Sequence, residues 1–217
     1  MEIAQSIQQY APYPIPHHLM TWLLKEYSQP NDKIHYLIRD GVLQQIKRGL
    51  YVAGPGITSL KPDPFLLANH ILGPSYVSLE SALSYHGLIP EKVYEISSVT
   101  TKAKRKFSTP FGVYSYTRLP LPYYSYGIRS AEGDKQQRFL IASPEKALFD
   151  KIITTAGVEF RSKNSVLTYI ENDLRIDVDM LKKLNIAIME SWIPSSPKKD
   201  SLSMLTTTIK QHDQRMA

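Results

Sequence analysis

Apolar residues recur along the first fifty positions with a spacing that predicts three helices and then a hairpin. Ile3, Ala4 and Ile7 fall on one side of a short helix closed by the Ala11-Pro12-Tyr13-Pro14 turn. A second helix is expected from Pro16, a residue suited to a first helical position. Its buried side is Met20, Leu23, Leu24 and Tyr27, at i, i+3, i+4, i+7 spacing. Ser28-Gln29-Pro30-Asn31 interrupts that pattern. A third helix is predicted over residues 31–40, with Ile34, Leu37 and Ile38 as its apolar stripe and Gly41 as a left-handed C-cap. At about 100° per residue the opposite face carries Asp32, Tyr36 and Arg39, with Lys33 and His35 at its margins. The period then drops to two. Residues 42–46 and 50–53 read as strands flanking Lys47-Arg48-Gly49, a hairpin with a basic tip.

Gly54-Pro55-Gly56 and the polar residues up to Lys61 form a linker, which places a domain boundary near residue 58. Beyond it, Asp63 is an expected N-cap, Pro64 a first helical residue, and Phe65, Leu66, Ala68, Asn69 and Leu72 follow. Two later stretches echo each other, residues 76–83 and 141–148. Each is an apolar run, then a serine expected to cap a helix, then a glutamate (Glu80, Glu145) in the first turn. Strands are expected at 94–100, 113–119, 123–128 and 137–142. The pattern turns helical again through 166–171 and 178–190, and a polar segment follows Pro197. The expected architecture is α+β: an N-terminal winged helix-turn-helix over residues 1–58, then a mixed α/β domain with additional C-terminal helices over 59–217.

Charge changes this picture only modestly. The net charge of +6 favours an anionic partner, but residues 1–60 hold 5 basic and 4 acidic side chains, so placement matters more than total. A helix of about 10 Å diameter fits a major groove roughly 12 Å wide, and a neighbouring hairpin tip can follow phosphates. The candidate DNA contacts are therefore Lys33, His35, Tyr36 and Arg39 on the third helix and Lys47 and Arg48 on the hairpin. The densest basic run, with Lys102, Lys104, Arg105 and Lys106, is a second candidate nucleic-acid contact, and Phe107 is available for stacking. Its plainer reading is a solvated hairpin loop.

Other classes find less support. The chain has no cysteine, no apolar run of roughly 18 residues and no signal-peptide layout, so it is expected to be cytoplasmic and free of the membrane. Phosphate-loop, HExxH, GxSxG and GxGxxG signatures are absent, and no acidic residue has a lysine two positions on. The adjacent His17 and His18 would diverge on a helix, and His86 before Gly87 reads as a helix C-terminal residue with a structural role. The expectation is a protein without catalytic residues, metal or cofactor.

Residues 78–91, from Ser78-Leu79-Glu80-Ser81-Ala82-Leu83 to Ile89-Pro90-Glu91, resemble the central signature of the AbiEi antitoxins of type IV toxin–antitoxin (abortive infection) systems. Residues 143–151, Ser143-Pro144-Glu145-Lys146-Ala147-Leu148-Phe149-Asp150-Lys151, resemble their second signature, and Arg48-Gly49-Leu50-Tyr51 the end of their wing. The resemblance covers roughly residues 19–155. It implies a transcriptional repressor that binds double-stranded DNA at inverted repeats in its own promoter. It also implies a second domain that opposes a nucleotidyltransferase-like toxin, without need of a stable complex. Two alternatives stand beside this: a stand-alone regulator without a toxin, and a nucleic-acid-processing enzyme, which would need Glu80, Glu95 and Glu145 to converge in a cleft.

Overall fold

A computed structural model describes residues 2–133 and 137–216. The chain opens with α1 (Glu2–Gln8), a two-residue strand β1 (Ile15–Pro16), α2 (His17–Leu23), α3 (Pro30–Arg39), and the hairpin strands β2 (Leu43–Lys47) and β3 (Leu50–Ala53). The three strands pair antiparallel in the order β1-β3-β2. Pro30 opens α3 where the sequence pattern put a break, because proline at a first helical position gives up only a hydrogen bond that would be unmade anyway. Gly41, at φ +71, reverses the chain after the Asp40 C-cap, as expected. Two expectations for α2 change. Pro16 stands at the N-cap position, without a capping hydrogen bond, and pairs in β1 instead of starting the helix, and Tyr27 lies beyond its end with 40% of its surface exposed.

The hairpin faces two ways. Leu43, Tyr51 and Ala53 join Ile7, Ile15, Met20, Leu24, Ile34 and Leu37 in a small core under α3. Ile46, Leu50 and Val52 belong to the large core of the rest of the chain. Alternation along β3 thus sends every residue into one core or the other, which is why Leu50-Tyr51-Val52-Ala53 has no polar position.

The large core surrounds a mixed six-stranded sheet of order β6-β7-β5-β4-β9-β8. Its strands are β4 (Ser75–Val77), β5 (Glu95–Thr100), β6 (Arg105–Thr109), β7 (Gly112–Arg118), β8 (Ile128–Glu132) and β9 (Arg138–Ala142). The β5–β7 and β4–β9 pairs are parallel and the others antiparallel. One face carries Tyr116, whose hydroxyl donates to the Ala68 carbonyl of α4 (Pro64–Ile71) at 2.6 Å. Asp63 caps that helix as expected, accepting from the N–H groups of Phe65 and Leu66. On the other face α5 (Leu79–Tyr85) docks by a Ser97–Ser81 hydroxyl contact and packs beside α6 (Pro144–Thr154).

Three expectations about this half are corrected. Residues 123–128 form a short 3-10 turn, Tyr123–Ser125, and the strand starts only at Ile128. The basic run is not simply a loop, since Arg105 and Lys106 begin the edge strand β6. The stretch 178–190 is broken into α8 (Val178–Leu181) and α9 (Ile186–Trp192), with Asn185 capping the second. The chain continues past α6 through α7 (Lys163–Thr168) and ends in α10 (Lys199–Met216), the polar segment of the sequence. Leu202, Leu205 and Ile209 bury that helix against α7 and α9. No described helix is long and apolar enough to cross a membrane.

Candidate nucleic-acid interface

The helix α3 and the β2–β3 hairpin enclose a groove of about 460 Å³ lined by His17, Asn31, Ile34, His35, Ile38, Gln45, Arg48, Gly49 and Tyr51. Its geometry follows from local rules. Ile34 and Leu37 anchor α3 inward, so His35, Tyr36 and Arg39 face out. Gln45 stands two residues from buried Leu43, on the same face of β2, and so meets the groove. Between β2 and β3 the chain turns in two residues, Arg48 and Gly49, and Gly49 takes the φ of +80 that the turn demands. The lining offers imidazole, amide, hydroxyl and guanidinium groups and contains no carboxylate.

The six candidate contacts divide. His35 and Arg48 face each other across the groove, and Tyr36 and Arg39 continue its outer surface. The Arg39 side chain is 71% exposed, with its guanidinium 4.8 Å over the Tyr36 ring and its Nε 3.4 Å from the Asp40 carboxylate. Lys33 instead sits at the other margin of α3, its ammonium 5.1 Å from the centre of the Tyr27 ring. Lys47 departs from the expected outward tip. It is half-buried and reaches back to the large unit, 5.6 Å over the Phe107 ring. Burial lowers its pKa from the usual lysine value, and the charges of Lys102 and Arg105 lower it further. Phe107 is therefore occupied by Lys47 and by an edge contact with Tyr116, not available for stacking.

This contact brings the second basic run beside the first site. Lys102, Lys104, Arg105 and Lys106 are all exposed, but they do not form one patch. Lys102 and Arg105 lie near Lys47, whereas Lys106 pairs with Glu95 on the sheet's other face. Four polar groove residues were not among the candidate contacts: His17, Asn31, Gln45 and Tyr51. Gln45 left a signal in the sequence, its register with Leu43. The placement of His17 depends on β1, too short to leave a period.

The two signature stretches build the centre of the large unit. Ser78 sits at the N-cap position of α5 but caps nothing, because its hydroxyl donates to Asp150 at 2.7 Å. Tyr76 and Tyr123 hydroxyls also donate to Asp150, and the Lys146 ammonium lies 3.1 Å from it, both charged side chains being fully buried. Lys146 also donates to the Tyr123 carbonyl at 2.9 Å. Burial pushes its ammonium down to about 8, although Asp150 holds it up. Lys146 is thus a buried partner of Asp150. Ser143 does cap α6, accepting from the Lys146 N–H.

Glu80, Glu95 and Glu145 do not gather in one cavity. Glu80 pairs with Lys151 and Glu95 with Lys106, and these two border one hollow. Glu145 lies apart, accepting from the Ser143 hydroxyl and the Asn185 N–H. Burial alone would raise the Glu145 carboxyl, but these hydrogen bonds outweigh it and hold the group below its ordinary range. His86 donates from Nε2 to the Ala142 carbonyl at 2.8 Å, and burial lowers its pKa. Among the described residues no group of three or more His, Asp or Glu side chains is placed to hold a metal ion.

Neither a family model nor a curated protein matches the chain. Among solved structures it is similar to the crystal structure of the RV2827C protein from Mycobacterium tuberculosis, with a TM-score of 0.62 at 17% identity. The match covers 95% of this chain and 75% of that one. At that identity the likeness establishes a shared α+β fold and nothing of activity.

Proposed function

We propose that this protein is a DNA-binding transcriptional regulator in which residues 1–58 act as a winged helix-turn-helix. The observation that carries the reading is the carboxylate-free groove between α3 and the hairpin, bordered by exposed His35, Tyr36, Arg39 and Arg48. A helix standing beside a hairpin tip is the arrangement in which one element enters the major groove while the other follows the backbone. Here the hairpin is not a loose wing, since its far face is buried in the large core. Arg48 supplies the outward tip contact, with Lys102 and Arg105 extending the positive surface past Lys47. Lys33 at the opposite margin is placed for a phosphate contact.

The resemblance of residues 78–91 and 143–151 to the AbiEi signatures supports the finer reading: an autoregulating type IV antitoxin that opposes a nucleotidyltransferase-like toxin. On this reading the signatures serve the fold that carries the antitoxin function, because their polar residues are consumed in the Asp150 network and in caps.

The test is a gel shift on the duplex upstream of the protein's own gene, run at several salt concentrations. Arg39→Ala with Arg48→Ala is expected to weaken binding about tenfold or more. Each lost phosphate contact should flatten the plot of log affinity against log salt by about 0.9. Unchanged affinity and slope refute the site. Co-expression with a neighbouring nucleotidyltransferase-like gene tests the antitoxin reading separately, and growth arrest that the protein fails to relieve counts against it.

A further inference from the structure

On the face of the six-stranded sheet that carries α5, beside that helix, lies a hollow of about 560 Å³, within the usual size range of small-ligand sites, roughly 300–1,000 Å³. Its floor follows from strand register. Ser97 pairs with Ser115 and Val99 with Thr117 along the parallel β5–β7 ladder, so Ser97, Ser115 and Thr117 share one face, while Tyr114 and Tyr116 take the buried one. On the neighbouring strand Lys106 stands opposite Ser115. Leu79 and Glu80 at the start of α5 form one wall, and Tyr94, 85% exposed, stands at the edge.

The charge balance of this hollow is positive. Glu95 is engaged by Lys106 and Ser115, which hold its carboxyl below the usual range, and Glu80 is engaged by Lys151. That leaves Lys104, which lines the hollow without an ion-pair partner among the described residues. The basic run that reads in sequence as one cluster is in fact parted by the pleat. Lys102 and Arg105 lean toward the hairpin, Lys104 and Lys106 toward the hydroxyl floor.

We propose that this hollow binds a nucleoside phosphate, either a free nucleotide or the 5′-phosphorylated end of a strand. The phosphate meets Lys104 and Lys106, the sugar meets the Thr117 hydroxyl and the Glu95 carboxylate, and the base stacks on Tyr94. A duplex does not fit, because its bases are stacked and cannot turn onto the tyrosine. The proposal does not depend on the DNA-regulator reading.

The experiment is calorimetric titration of the full chain with ATP and GTP, with adenosine and guanosine, and with a pentanucleotide carrying either a 5′-phosphate or a 5′-hydroxyl. Phosphorylated probes are expected to bind at least about tenfold tighter than their unphosphorylated counterparts. Binding by ATP or GTP assigns the site to a free nucleotide, and binding by the phosphorylated pentanucleotide alone assigns it to a strand end. Lys104→Ala with Thr117→Val should weaken binding about tenfold or more without moving the urea midpoint. Arg39→Ala with Arg48→Ala should leave it unchanged, so this proposal and the regulator reading fail separately. No binding by any phosphorylated probe at millimolar concentration, equal affinity for nucleosides, or full affinity in the Lys104/Thr117 variant each overturn it.

Discussion

Replacing Asp150 with alanine isolates the energetics of the buried centre. Asp150 accepts from Tyr76 at 2.9 Å, Ser78 at 2.7 Å and Tyr123 at 2.8 Å, and Lys146 stands 3.1 Å away with both charged side chains fully buried. Removing one member of such a pair leaves an uncompensated charge, and the cost at pH 7 is expected to be about 3–5 kcal/mol. Lys146 has an escape, however. Burial already holds its ammonium down to about 8, with Asp150 opposing. Without Asp150 that pKa falls further, so the folded variant sheds its proton at lower pH while the unfolded chain keeps it until about 10.4. Stability then rises with pH earlier in the variant than in the parent. Each unit of additional depression shrinks the penalty between pH 7 and pH 9 by up to about 1.4 kcal/mol. Urea unfolding at the two pH values reads this directly, with an expected midpoint drop on the order of 1–2 M at pH 7 and a smaller one at pH 9. Lys146→Met, which has no proton to shed, should show a penalty that does not shrink. A cost below about 1 kcal/mol at pH 7, or one that grows at pH 9, refutes the account of the pair.

Two further outcomes follow from burial. Tyr76 and Tyr123 are raised well above the usual tyrosine value, Tyr116 is raised, and Tyr114 and Tyr124 are pushed up to about 12, in each case mainly by burial. Unfolded tyrosines release their protons near pH 10 while these retain them, so stability is kept below that pH and is expected to fall as pH climbs from 10 toward 12. A urea midpoint that holds steady to pH 11.5 contradicts the buried hydroxyls. Residues 1–58 expressed alone would expose Ile46, Leu50 and Val52, at about 1.5–3 kcal/mol each, a loss comparable to the whole stability of a small domain. That fragment should lack a cooperative transition and a dispersed amide spectrum, and finding both would show that the hairpin does not need the sheet.

The first fifty residues were legible because their periods are clean. Ile34, Leu37 and Ile38 mark one side of α3, and a glycine follows at each point where the backbone must turn left-handed. The run Leu50-Tyr51-Val52-Ala53 even carried the clue that β3 is covered on both faces, since a strand with one solvated face alternates. The second half hid more. Lys and Arg in β6 imitate a loop, yet they are what an exposed edge strand tolerates. Tyr123 and Tyr124 favour a strand by propensity, but Pro120 and Pro122 before them and Gly127 after them set a turn. Helix α10 looks polar because its stripe of Leu202, Leu205 and Ile209 is thin and buried Ser201, Thr206 and Thr208 accompany it. The Lys146–Asp150 pair left one trace, opposite charges four apart on either side of the apolar Ala147-Leu148-Phe149. That spacing reads equally well as a solvated surface pair, and only the tertiary fold distinguishes the two.

What joins the two halves physically is the hairpin. Its inner face belongs to the core under α3, its outer face to the core of the sheet, and Lys47 extends the second contact onto Phe107 of β6. A β-ribbon held on both faces cannot swing as a free wing does, because moving it would unpack Ile46, Leu50 and Val52. The α3 groove is therefore held at a fixed distance from the edge strand, and Arg48, Lys102 and Arg105 keep a fixed spacing. On the regulator reading this matters for recognition. A rigid set of cations meets the phosphate backbone at one geometry, so a duplex that must bend to reach all of them binds according to its deformability as well as its base sequence.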